Sequence, residues 1–149
     1  MAQTYFGSTL RAGSGTLTDS VDGGFVVMMQ TSTVTTVSAG TAVSVTEVLP
    51  ASSQIINIFV DTMVDETVGG GTATSIAATV GTVAAGTQYI SSTNIIAGGR
   101  VTPTLTTAQL LAMSDIGTNT NVVLTIAPNG TISTTQGVYR MTVVYAQKV

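Results

Sequence analysis

The amino-acid sequence predicts an all-β fold: a β-sandwich or jelly roll of about eight antiparallel strands, with an extended N-terminal arm and at most one short helix. Three observations predict it. Short runs of β-branched residues follow one another with turn chemistry between them, at the spacing of a sandwich or jelly roll. Within several of these runs apolar and polar residues alternate with period 2, whereas a helix-start signature occurs once. No repeat of fixed period is visible, which argues against a solenoid or a propeller. At 149 residues the chain is expected to form one domain, residues 23–149, behind an arm of residues 1–22.

The opening segment mixes Gly, Ser and Thr with scattered Tyr5, Phe6, Leu10 and Leu17 and has no sustained period. It reads either as a frayed terminus or as an arm that docks on a neighbouring subunit through Tyr5, Phe6 and Leu10. After Gly23-Gly24 the pattern turns to β. Phe25 to Gln30 is apolar on both faces, as in a strand buried on both sides in a core or at an interface. Thr33 to Val37 and Thr41 to Leu49 flank a turn at Ala39-Gly40, and Pro50 ends the second run. Gln54 to Val64 is the longest candidate. Simple alternation places Ile56, Ile58, Val60 and Val64 on one face and Asn57, Phe59, Asp61 and Met63 on the other.

Beyond the Gly69-Gly70-Gly71 break, Thr74 to Val80 sets Ile76, Ala78 and Val80 on a common face. Residues 81–100 are loop-rich around two short pieces, Gln88 to Ser91 and Asn94 to Ala97. Thr106 to Gln109 fits a capping box opening a helix of one or two turns through Leu110, Leu111 and Met113, with a loop crossing as the alternative. Asn121 to Ala127 alternates Val122, Leu124 and Ile126 with Val123 and Thr125. It then meets Asn129-Gly130, a hairpin signal that predicts a returning strand through Ile132. Finally, Val138 to Ala146 puts Tyr139, Met141, Val143 and Tyr145 opposite Arg140 and Thr142, in a strand long enough to be central.

Composition excludes most chemistry. With no His and no Cys there is no imidazole or thiolate metal site, no Cys nucleophile and no imidazole base for the many Ser and Thr hydroxyls. The sole lysine, Lys148, lies next to the C-terminus. Acid and base work would fall to tyrosines and to seven carboxylates, Asp19, Asp22, Glu47, Asp61, Asp65, Glu66 and Asp115. No catalytic role is assigned to any of them, and no cofactor is expected. A net charge of −3 with four basic residues, Arg11, Arg100, Arg140 and Lys148, cannot furnish a phosphate-binding surface, so nucleic acid is not an expected partner. No stretch reaches membrane-spanning length, and the first fifteen residues lack the pattern of a secretory leader. Synthesis in the cytoplasm follows as an expectation.

Only 7% of the residues are charged, and the mean hydropathy is +0.48, whereas a soluble surface typically carries about 25–35% charged residues. Such an exterior suits contact with copies of itself, so a stable homo-oligomer or lattice component is expected. Asp61, Asp65 and Glu66 form the one acidic cluster. It could take a hard cation such as Ca²⁺, but the spacing fits no EF-hand, and carboxylates solvating the end of the long strand and the turn into the glycines are the favoured explanation. As a carboxylate pair for glycoside cleavage the cluster lacks an aromatic groove. Asn129-Gly130-Thr131 is a glycosylation sequon explained by the turn, and Gly81-Thr82 and Gly98-Gly99 read as turns too, since neither opens a helix after a strand.

With these segments placed, one resemblance emerges. The stretch from Ile56 through Val80-Gly81-Thr82, with Gln88-Tyr89-Ile90 and Ile96-Ala97-Gly98-Gly99 after it, resembles a group of small structural proteins of tailed bacteriophages. There a strand ending near V-D-T, here Val60-Asp61-Thr62, is followed by a Gly/Thr turn, a strand ending near V-G-T and a tyrosine-containing segment. A C-terminal strand like Tyr139 to Tyr145 completes the pattern, and the resemblance spans about residues 54–146. It implies a virion β-sandwich of the capsid cement, or decoration, type. Such a protein would sit on the head surface as a homotrimer at three-fold and quasi-three-fold points. Its partners would be the major capsid protein and itself, with no membrane and no small-molecule substrate. A tail or head-fibre component and a carbohydrate- or receptor-binding sandwich are the alternatives. A receptor binder should expose aromatics at loop tips, and Tyr89 is the one aromatic in a loop-rich region.

Overall fold

A computed structural model describes residues 25–66, 71–102, 104–114, 116–132 and 135–148. The arm of residues 1–22, with Tyr5, Phe6 and Leu10, lies outside them, as does Asp115. Eight strands and one helix follow in chain order: β1 (Phe25–Thr35), β2 (Val43–Leu49), β3 (Ser53–Val64), β4 (Ile76–Gly81), β5 (Ile90–Asn94), β6 (Arg100–Val101), α1 (Thr107–Ser114), β7 (Thr120–Pro128) and β8 (Val138–Lys148). They form two four-stranded sheets, ordered β1-β8-β3-β6 and β2-β7-β4-β5, and every pairing is antiparallel. Only β4 and β5 are both consecutive and adjacent. Every other connection crosses between the sheets, giving the strand order of a jelly roll.

The core follows from period 2 in the central strands. On β8, Tyr139, Met141, Val143 and Tyr145 are each at most 1% exposed. They meet Val122, Leu124 and Ile126 of β7 and Ile76, Ala78 and Val80 of β4, all buried from the opposite sheet. Each such aliphatic or aromatic side chain contributes about 1.5–3 kcal/mol by leaving water. The expected capping box opens α1. The Thr106 N–H donates to Gln109 Oε1 at 2.9 Å, and the Gln109 N–H donates to Thr106 Oγ1 at 3.3 Å.

Five local expectations are corrected. First, Phe25 to Gln30 and Thr33 to Val37 are not two strands. They merge into β1, which pairs with β8 in unbroken register from Phe25↔Lys148 to Thr35↔Val138 and lies at a sheet edge instead of in the core. Second, alternation along β3 is broken at Ile56. Ile55 pairs with Tyr145 and Asn57 with the next residue, Val144, so Ile56 is the extra residue of a bulge. Ile55 and Ile58 are therefore buried while Ile56 is 51% exposed, and a second irregularity between Thr62 and Val64 leaves Val64 exposed as well.

Third, the two short pieces around Gln88 and Asn94 are one strand, β5, lying between them. Fourth, Gly81 is the last residue of β4 and not part of a turn, with the chain bending at Thr82 after it; Tyr89, the one aromatic of this loop-rich region, is buried, and burial raises its phenol pKa. Fifth, Asn129-Gly130 is no hairpin: the chain crosses from β7 in one sheet to β8 in the other, and Ile132 is buried in that crossing outside any strand. Gly130 takes φ +119° because three connections meet there. A Cβ on Gly40 (φ +71°) would lie 1.9 Å from the Gly130 carbonyl oxygen, and one on Gly130 would meet Thr72 at 2.6 Å.

Candidate interaction surface

The outer face of the first sheet is divided along its strands into an ionic half and an apolar half. The ionic half comes from register. Thr33 of β1 pairs with Arg140 of β8, Arg140 with Asp61 of β3, and Asp61 with Arg100 of β6. One carboxylate thus lies directly between two guanidinium groups, the favourable cross-strand arrangement. Arg100 donates from Nε to Oδ1 at 2.6 Å and from Nη2 to Oδ2 at 3.1 Å, and Arg140 donates from Nη2 to Oδ2 at 2.9 Å. The Arg100 guanidinium also lies 4.9 Å from the centre of the Phe59 ring, in cation–π reach. Hydrogen bonding from Arg100, with Arg140 adding to it, holds the Asp61 carboxyl at about 2 against the burial that would raise it.

The candidate acidic cluster is therefore dispersed. Asp61 belongs to this ionic row. Glu66 accepts from the Tyr139 hydroxyl on Oε1 at 3.0 Å and from Thr36 Oγ1 on Oε2 at 2.9 Å. Burial and the charge of Glu66 push the Tyr139 phenol pKa up. Asp65 lies against Gly98. Among the described residues no group of three His, Cys, Asp or Glu side chains could hold a metal, and no helix is long and apolar enough to cross a membrane. Gly98-Gly99 lies at a turn, as expected, with φ +70° and +85°.

The apolar half lies toward the start of β1. Val27 pairs with Ala146 and Met29 with Val144, and Ile56 stands out from the neighbouring β3 at its bulge. Val27 is 64% exposed and Met29 66%, while Met28, on the alternate row, is 44% exposed. Both rows of this segment are thus apolar and, among the described residues, largely open. The sequence reading found the two-sided apolarity but not the position at an edge, which depends on which strands neighbour β8.

Two further features lie away from this face. Glu47 points into the sandwich from β2 at 7% exposure, and neither carboxylate oxygen has a hydrogen-bond partner. Burial raises its pKa, opposed by a smaller lowering from the Ser32 hydroxyl, whose geometry falls short of a hydrogen bond. Beside α1 an open recess of ≈ 370 Å³ is lined by uncharged residues including Thr87, Ser91, Thr106 and Gln109. The Gln109 side-chain amide is already committed there, donating to Ser91 Oγ at 3.0 Å. Neither feature brings together an acid, a base and a nucleophile.

No family model matches the chain, and no curated protein matches it. Among solved structures, it is similar to a chain of the cyanophage Pam1 capsid asymmetric unit. The TM-score is 0.52 at 19% identity, over 94% of this chain and 99% of that chain. The likeness is one of fold, and it runs nearly from end to end in two chains of closely similar length.

Proposed function

We propose that this chain is a non-enzymatic structural protein of a bacteriophage virion. In this reading it is a capsid cement, or decoration, protein that binds the outside of the head as a homotrimer. There it clamps adjacent capsomers of the major capsid protein. The observation that carries the reading is the jelly roll shared over nearly the whole length of both chains with a component of the Pam1 capsid asymmetric unit. The surface supports it. A scarcely charged exterior with an open apolar strand edge suits permanent contact, and an array of trimers lets modest contacts act together. In this reading the arm of residues 1–22 contributes contacts through Tyr5, Phe6 and Leu10.

Electron microscopy of heads assembled with and without the chain tests this directly. Added density at three-fold and quasi-three-fold positions, with greater resistance of those heads to heat or chelation, is the expected result. Density on the tail alone, or none on any part of the particle, overturns it.

A further inference from the structure

We propose that the open edge of β1 is the acceptor for the N-terminal arm of a second copy of this chain, which adds to it as an extra strand. The inference rests on the homo-oligomeric part of the proposed function and names the surfaces that would build it.

Four strand edges are open among the described residues, those of β1, β6, β2 and β5. Natural sheets blunt their edges with charges, prolines, bulges, short strands or inward-pointing charged residues. On the second sheet, β2 carries the inward-pointing Glu47 and β5 spans only Ile90–Asn94. On the first sheet, β6 is two residues long and includes Arg100. β1 has none of these devices. It runs for 11 residues, contains no Lys, Arg, Asp, Glu or Pro, and keeps an unbroken register with β8. Among the described residues, its edge N–H and C=O groups thus form the longest regular template.

Val27, Met28 and Met29 make both rows apolar, the pattern of a strand with neighbours on each side, yet they are 44–66% exposed in one chain. Something apolar must lie alongside.

The 24 residues before Phe25 would span at most about 80 Å if extended. Lying along all of β1 takes about 37 Å, which leaves ample reach to a neighbouring subunit. The arm's own β1 is a poor acceptor. A tight hairpin over Gly23-Gly24 would set Asp19 opposite Met28, with Ser20 and Thr18 opposite Val27 and Met29, placing polar residues and a carboxylate on the apolar segment. Tyr5-Phe6, adjacent and β-prone, instead offers apolar side chains to both faces at once. An arm passed from each copy to the β1 of the next is a head-to-tail contact that can close into a ring and so accommodates a trimer, whereas β1 against β1 would give a two-fold dimer.

The native chain has no cysteine, so disulfide trapping in the full-length protein tests this cleanly. Two differently tagged chains, one carrying Phe6→Cys and the other Met29→Cys, are co-expressed and oxidised. Tyr5→Cys and Leu10→Cys serve as alternative arm positions. Thermal melts matching the unsubstituted protein establish that the exposed Met29 position tolerates the change. The expected result is a covalent pair joining the two tags, formed in most of the oligomer and absent when either variant is oxidised alone. The inference is overturned by a bond closing within one chain that bears both cysteines, by Met29→Cys pairing with itself, or by no bond from any arm position. A chain that stays monomeric overturns it too. None of these outcomes requires a capsid, so a failure here leaves head binding standing, and failure to bind heads leaves the cross-link unaffected.

Discussion

Arg100 grips Asp61 through both carboxylate oxygens, at 2.6 and 3.1 Å, although the two residues are 39 positions apart and share only a register point between β3 and a two-residue strand. Because β6 is so short, this bidentate contact ties the far edge of the first sheet to its centre. Asp61→Asn should lose the paired charge and leave Arg100 and Arg140 facing each other. Hydrogen bonds to a charged group contribute about 1.5–3 kcal/mol, but the Arg100 side chain is 56% exposed and solvent screens it, so a loss near 1 kcal/mol is expected. In a thermal melt that lowers Tm by about 2–4 °C. An unchanged Tm would mean that β6 is held by its backbone alone.

Asp61 and Glu47 should give acid titrations of opposite sign. Asp61 has a depressed pKa, so its contribution is present above the ordinary carboxylate range and is lost as pH falls from about 4 toward 2. Glu47 has a raised pKa, so folding favours its protonated form. Its contribution is complete below the ordinary carboxylate value and fades as pH rises through the raised one. Glu47→Gln, which keeps the shape without the charge, should therefore raise Tm relative to the parent at pH 7 and lose that advantage near pH 4. Melts at the two pH values check this, and an equal difference at both would locate the Glu47 carboxylate in water.

The apolar half of the outer sheet face should matter to assembly and not to folding. Val27→Lys with Met29→Lys alters two side chains that are 64% and 66% exposed, so far-UV circular dichroism and Tm measured on the monomer should be nearly unchanged. If the chain assembles as proposed, light scattering should show that assembly dissociating, since two desolvated ammonium groups would otherwise be buried against the neighbour. Retention of the full oligomer would move the interface elsewhere.

Loop crossing makes Gly40 a test of the second sheet's connections to the first. Its positive φ and the 1.9 Å approach of a hypothetical Cβ to the Gly130 carbonyl both forbid a side chain. Gly40→Ala should cost about 1–3 kcal/mol in denaturant unfolding, because the β1–β2 and β7–β8 connections must separate to admit the methyl group. Gly99, where nothing lies within 4 Å of a built Cβ although φ is also positive, is the matched control and should lose less on the same change.

These cases also mark what local sequence expresses. Strands β2, β4, β7 and β8 and the capping box of α1 were legible because their signals are periodic or confined to four residues. The faces of Asp61 and Arg140 were legible as well, each opposite the buried row of its own strand; that they meet was not, because pairing depends on register between segments some eighty positions apart. The bulge at Ile56 is a tertiary adjustment with no residue-level mark, and it inverted the alternation upstream of it. Asn129-Gly130 carried a sound conformational signal, positive φ, that serves a crossing between sheets instead of a hairpin.

Removal of residues 1–22 separates the two levels of the proposed function. The described jelly roll begins at Phe25, and its core is drawn chiefly from β2 to β8 and the segments between them, with Val34 of β1 packed against it among the described side chains, so the truncated chain should keep its fold and nearly its full Tm. If the arm supplies the strand that covers β1, the same truncation should leave Val27, Met28 and Met29 open and reduce the oligomer to monomers. Avidity on the head would fall with it, since each chain would then bind singly. Sedimentation of heads mixed with truncated and full-length protein measures this, with loss of co-sedimentation by at least tenfold in affinity expected. Undiminished binding by a monomeric truncated chain would show that the sandwich itself carries the capsid contact and that the arm serves only subunit association.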